Sequence, residues 1–185
     1  MAPQSAINAD ICIVGAGIAG LNAAFVASQY LGKNGKIVLV DRRPRVGGMW
    51  VDTYDYVRLH QPHPFFTAGN IKWTLGRDRS YLATKGEVLD HFQHCVDVIA
   101  KRVEVELRCG WDYLSHTESD GLVRVQCRSS DGSALTITAK KLITAYGLSI
   151  QANPPLSVSS SRVRSVTPNE CDVRSGEISP FWHRG

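Results

Sequence analysis

An α/β fold built on a central parallel sheet is what this sequence predicts, and three observations carry the prediction. An unbroken apolar run, I-C-I-V at residues 11–14, leads into a glycine-rich turn and then into a stretch with helical spacing. A second apolar run, I-V-L-V at residues 37–40, ends on Asp41. Further on, short alternating segments are separated by S-D-G and S-D-G-S turns, which predicts a three-stranded antiparallel meander inserted into the α/β unit.

The first strand is fully apolar, as a parallel strand buried on both faces must be. In the turn after it, Gly15 bends the chain tightly, Gly17 lets the backbone approach a ligand, and Gly20 lets the next helix pack closely on the strand. That helix is expected over residues 18–30, with its N-terminus and its free N–H groups directed at an anion. Asp41, at the end of the second strand, offers a carboxylate to both hydroxyls of a ribose and would repel a ribose 2′-phosphate. Strand, glycine turn, helix and acidic strand end together predict a dinucleotide site. The distance from Gly15 to Asp41 exceeds the usual spacing of about 20 residues, and G-K-N-G at residues 32–35 accounts for it as a lengthened turn.

The next stretch, D-R-R-P-R-V-G-G-M-W at residues 41–50, resembles the second fingerprint of the two-dinucleotide flavoproteins, where a G-G pair follows the acidic residue. G-G-M-W resembles the G-G-x-W of flavin-containing monooxygenases and their Baeyer–Villiger relatives, and Y-D-Y-V-R-L-H-Q-P at residues 54–62 is similar to the segment beside the isoalloxazine there. The resemblance implies a Rossmann-like FAD-binding domain. It places Gly15, Ala16, Gly17, Ile18, Ala19 and Gly20 at the pyrophosphate, Asp41 and Arg42 at the adenosine, and Gly48, Met49 and Trp50 along the ribityl chain and flavin. Gln61 stands where that family has a flavin-contacting Asn, and Trp50 and Gln61 are the residues expected to shape the flavin pocket.

The implied reaction is that of a flavin-dependent NADPH monooxygenase passing one oxygen atom from a peroxyflavin to a small organic substrate. No catalytic acid, base or nucleophile is required of this chain. No second G-x-G-x-x-G follows Gly20, so NADPH, implied by the resemblance, has no site here. The chain is therefore read as a truncated half of such an enzyme. The alternative is a non-catalytic FAD- or nucleotide-binding module, or a degenerate remnant, that needs a partner chain. A simple NAD-dependent dehydrogenase is a third reading, which leaves G-G-M-W unexplained.

Residues 54–79 have no steady period and read as loop. Phe65, Phe66 and Trp73 there either wall off water or form satellite core. Residues 87–101 carry apolar positions at helical spacing, and 103–107 alternate as a strand, beyond which the backbone near Cys109 is implied to meet the adenine. The meander strands are expected at 111–114, 122–128 and 134–138. K-K-L-I-T-A-Y-G at 140–147 is similar to the strand ending A-T-G near the cofactor, with Tyr146 for the Thr, or is an ordinary buried strand. The domain plan is a flexible N-terminus over residues 1–9, an incomplete FAD-binding domain over 10–148, and a loosely ordered tail over 149–185 leading toward an absent NADPH domain.

With 21 Lys and Arg against 17 Asp and Glu the chain carries a slight positive charge spread along its length, which speaks against a nucleic-acid partner. Its five cysteines show no C-x-x-C spacing and suit a reducing, cytoplasmic setting. No leader and no membrane span are expected. His91 with His94 and Cys95, and His60 with His63, have the spacing of metal pairs but lack further ligands, so no metal is expected. Ser115 and His116 lack a hydrolase's elbow. The expected partner is a small-molecule substrate, and the oligomeric state is left open.

Overall fold

The computed structural model describes residues 4–147 and the isolated positions 157, 159, 162 and 165. The expected tail over 149–185 lies outside the described residues apart from those four. In chain order the elements are β1 (Gln4–Val14), α1 (Ile18–Tyr30), β2 (Lys36–Asp41), α2 (Met49–Asp52), α3 (Lys85–Ala100), β3 (Glu104–Cys109), β4 (Trp111–Ser119), β5 (Leu122–Ser129) and β6 (Ala134–Thr144). They form one sheet in the order β3-β2-β1-β6-β5-β4. The pairs from β3 to β6 are parallel and the last two are antiparallel.

Both faces of the sheet are covered, but by different layers. On one face α1 and α3 pack over Ile13, Ile37 and Leu39, with Phe92 and Ile99 of α3 fully enclosed. This is the amphipathic helix that the spacing of residues 87–101 predicts, opened by a capping box in which Thr84 and Glu87 bond each other's backbone N–H. On the other face the sheet folds over itself. Val123, Val125 and Cys127 of β5 and Leu135 and Ile137 of β6 meet Cys12, Val14, Val38 and Val40 in a second core. The meander thus occupies the place of a second helical layer, which explains why its strands alternate buried and exposed residues.

Two expectations change. Residues 4–9, assigned to a flexible N-terminus, are the first half of β1, paired with residues 134–139 of β6. Ala6, Asn8 and Ala9 carry little hydrophobic signal of their own, and the order comes from backbone pairing across the sheet. The segments at 134–138 and 140–147 are likewise not two strands, because β6 runs from Ala134 to Thr144 without a break. In both β1 and β6 the side-chain alternation changes phase. Ile7 and Ala9 face the second core whereas Ile11 and Ile13 face the first, and β6 switches between Ala139 and Ile143. Asp10 and Lys140 mark the switch: Asp10 Oδ1 accepts from Lys140 Nζ at 2.7 Å, and Oδ2 accepts from the Lys36 backbone N–H at 2.8 Å.

Beyond Ala139, β6 pairs only with β1 among the described residues. No helix among them is long and apolar enough to cross a membrane.

Candidate dinucleotide-binding site

Four parallel strands end on the same edge of the sheet, and the backbone of the loops that follow them is knitted together there. Gly15 N–H donates to Val40 O at 2.7 Å, Ala145 N–H to Val14 O at 2.7 Å, Gly110 N–H to Arg43 O at 2.8 Å, and Gly47 N–H to Ala16 O at 3.0 Å. From β1 the chain passes to β2 on one side, while β6 lies on the other. The crevice between the ends of β1 and β6 is therefore a topological switch point, where open α/β sheets take their ligands.

Each glycine of the turn has a different reason to be glycine. Gly15 sits at φ +109°, and a Cβ there would stand 2.5 Å from Ala145 O, so both conformation and space exclude a side chain. A methyl group at Gly20 would drive into the carbonyl oxygen of Gly15. At Gly17 a Cβ would come 3.3 Å from the Cα of Gly48, which itself has φ +55°. Gly17 and Gly48, distant in sequence, thus face each other with no side chain between them.

α1 begins at this point without a side-chain cap and with no acidic residue in its first turn. The contrast with the capped start of α3 is informative. A helix start whose N–H groups are left to an outside acceptor is suited to an anion.

Asp41 is 6% exposed, and its carboxylate is turned into the loop. Oδ2 accepts from the Ala16 N–H at 2.7 Å and Oδ1 from the Arg43 N–H at 2.9 Å. Arg43, not the neighbouring Arg42, supplies the nearest positive charge: its guanidinium is 3.8 Å from Asp41 Oδ1 and its Nε donates to Asp52 Oδ2 at 2.6 Å. Arg42 is exposed and has no protein partner among the described residues. Sequence alone could not choose between adjacent arginines, because the choice depends on how the chain leaves the strand.

The other expected residues divide. Ile18 and Ala19 lie in the first turn of α1 at the crevice, and Met49 is 73% exposed at its rim. Trp50 is half-buried, its ring 5.7 Å from Phe66, which in turn meets Phe92 at 5.5 Å. Phe66 and Trp73 pack against the main core, whereas Phe65 is exposed. Gln61 is half-buried in the segment before the short 3-10 turn His63–Phe65.

The histidines serve the fold. Thr67 Oγ1 donates to Ile71 O at 2.7 Å, so it accepts from His91 Nε2 at 2.8 Å, and Trp73 stacks on the same imidazole with centroids 3.9 Å apart. His91 Nδ1 is buried without a partner among the described residues. Burial first, with His94 and His63 adding to it, pushes the imidazole down from its ordinary range to about 4. Between pH about 6.5 and 4 the unfolded chain then binds more protons than the folded one. The stability contributed by neutral His91 is full above about 6.5 and is lost as the pH falls toward 4. A His91→Gln chain is expected to lose less stability than wild type between pH 7 and 5, by an amount of order 2 kcal/mol. Urea midpoints at the two pH values check this, and equal losses in both chains would refute it.

Among the described residues no group of three or more His, Cys, Asp or Glu side chains is placed to hold a metal ion. The thiols are protonated: burial pushes Cys12 up to about 12 and Cys127 to about 11, and it also raises Cys95 and Cys109. His116 Nδ1 is 2.7 Å from Tyr113 Oη, and no hydrogen bond joins Ser115 to His116 among the described residues.

A Rossmann-like α/β domain with a dinucleotide-type crevice is the class these features define. The chain belongs to the pyridine nucleotide-disulphide oxidoreductase family, whose model matches residues 9–172. It is 31% identical over 100 residues to uncharacterized proteins of Mycobacterium tuberculosis and Mycobacterium bovis, a match covering 49% of this chain and 18% of each of theirs. In fold it is similar to bacillithiol disulfide reductase from Bacillus cereus, with TM-score 0.60, 16% identity, and coverage of 76% of this chain and 40% of that one. It is also similar to a flavin-containing monooxygenase from Stenotrophomonas maltophilia, with TM-score 0.57, 18% identity, and coverage of 76% and 38%. The closed form of cyclohexanone monooxygenase gives TM-score 0.60 at 20% identity, covering 82% of this chain and 28% of that one. The chain spans less than half the length of each of these proteins.

Proposed function

We propose that this chain binds FAD and forms the FAD-holding part of an oxidoreductase. The observation that carries the reading is the start of α1, opened by Gly17 without a side-chain cap or an acidic residue in its first turn, set at the switch point between β1 and β6. The fit extends to both ends of the cofactor. Gly17 and Gly48 bring their backbones together without a side chain, and a Cβ at either position would crowd the other. N–H groups of the first turn of α1 would take the pyrophosphate, Asp41 the adenosine ribose, and Met49 and Trp50 the ribityl and flavin side. Trp50, fixed against Phe66, is suited to exclude water there. A bound flavin would supply the capacity to take up a hydride and pass its electrons on.

Oxygen transfer to a small organic substrate, with NADPH as reductant, is the finer reading. The G-G-M-W sequence supports it, as does the likeness in fold to two monooxygenases. A thiol route through this part of the chain is disfavoured, because the four described cysteines are held as thiols by burial and none is paired. The competing reading is a flavin-binding module without turnover. Expression with excess FAD, followed by desalting and a flavin absorption spectrum, tests the binding: yellow protein with one flavin per chain is expected, and folded, colourless protein would end the proposal. NADPH consumption with oxygen uptake separates an enzyme from a module.

A further inference from the structure

The residue that follows β6 departs from the family-like A-T-G pattern, and the fold puts it on the crevice. Ala145 is bonded to Val14, and the Tyr146 backbone nitrogen lies 2.8 Å from where a Cβ of Gly15 would be, so Tyr146 adjoins the first glycine of the turn. Its side chain is 56% exposed. The ring is not loose on the surface. It lies nearly parallel to Tyr113 of β4, with centroids 6.1 Å apart and planes inclined by 24°, within the range of an offset aromatic pair. Tyr113 is itself fixed through its hydroxyl to His116 Nδ1. Tyr146 is thus an exposed aromatic surface held in place from behind.

The position of this pair says which half of a dinucleotide it meets. The crevice has two rims. Gly17, Gly48 and Trp50 stand on the side of the helical layer, where Trp50 packs against the first core. Tyr113 and Tyr146 stand on the side of the meander, where Tyr113 packs against the second core, the cluster that also holds Val38 and Val40 of β2. β2 is the strand that delivers Asp41, and β4 starts directly after Gly110, whose N–H bonds Arg43 O beside Asp41. The meander rim is therefore contiguous with the acidic ribose end of the crevice, and the helical rim with the Trp50 end.

We propose that Tyr146, backed by Tyr113, is an aromatic contact for the adenosine half of the bound dinucleotide. The contact rests on the FAD reading, and its test separates the two. The chain is titrated with FAD, with ADP, which carries only the adenosine half, and with FMN, which lacks it. Replacing an aromatic that stacks on a base costs about 1–3 kcal/mol. Tyr146→Ala is accordingly expected to weaken ADP and FAD by about tenfold and to leave FMN unchanged. Tyr146→Phe keeps the ring and is expected to bind all three as wild type does. Because Tyr146 is exposed, both variants should match wild type in far-UV circular dichroism and thermal midpoint. Unchanged ADP affinity in Tyr146→Ala, an equal loss for FMN, or a loss in Tyr146→Phe as large as in Tyr146→Ala would overturn the contact while wild-type FAD binding stands. A wild-type chain that takes up neither FAD nor ADP would overturn the FAD reading and the contact with it.

Discussion

Gly20→Ala is expected to lower the stability of the chain by about 3 kcal/mol, whereas Gly17→Ala should leave the fold nearly intact and remove flavin binding. The two positions lie in one turn, and a pattern reading treats them alike. The structure separates them. A methyl group at Gly20 meets the carbonyl oxygen of Gly15, a backbone atom that cannot move without shifting the end of β1 and the start of α1 together. Overpacking against backbone is the costly kind, since no rotamer change relieves it. At Gly17 the nearest atom is the Gly48 Cα at 3.3 Å, so a shift of a few tenths of an ångström accommodates the methyl group. The methyl group nonetheless pushes the Gly48 turn away from the start of α1, where the proposed reading seats the phosphates. Thermal melts of the two variants, with and without FAD, check both statements: Gly20→Ala melts low in either condition, and Gly17→Ala melts like wild type without FAD and gains nothing from it. A Gly17→Ala chain that FAD stabilises as strongly as wild type would show that the phosphates do not sit at this approach of Gly17 and Gly48.

These contrasts bear on what the sequence could say. The turn, α1 and the acidic strand end were legible because their signals are local: an apolar run, glycines at fixed offsets, and an acidic residue closing the next strand. The length of β1 and β6 was not legible. A-I-N-A-D and A-K-K-L lack a steady period, since both strands exchange the face they present at Asp10 and Lys140, and the pairing that orders them is between residues more than a hundred positions apart. The site follows the same division. Gly15, whose φ of +109° calls for glycine, is legible from the turn alone, while the bond of Arg43 to Asp52 and the stacking of Tyr146 on Tyr113 depend on how the chain folds back. The placing of Tyr113 against the second core likewise follows from how the meander folds over the sheet, not from its spacing.

Asp41 is the residue on which stability and the proposed binding converge, and Asp41→Ala is expected to cost about 3 kcal/mol, or roughly 10 °C in thermal midpoint. Its carboxylate is almost completely enclosed and answers two backbone N–H groups, those of Ala16 and Arg43. Truncation leaves the buried Ala16 N–H and the partly buried Arg43 N–H without this acceptor, and an unsatisfied buried donor costs more than a made hydrogen bond contributes. The Arg43 guanidinium keeps Asp52, so the damage is confined to the loop and the end of β2. Asp41→Asn is the more informative variant. One amide oxygen satisfies one N–H, but the amide NH₂ then faces the other donor, so a smaller loss of about 1–2 kcal/mol is expected. The same replacement removes the negative charge offered to the ribose hydroxyls, so FAD affinity should fall while FMN affinity, which involves no adenosine ribose, should hold. Parallel melts and titrations of the two variants decide between a purely structural carboxylate and one that also reads the cofactor. If Asp41→Asn destabilises the chain yet binds FAD as wild type does, the carboxylate only braces the turn, and the ribose must find its acceptors elsewhere.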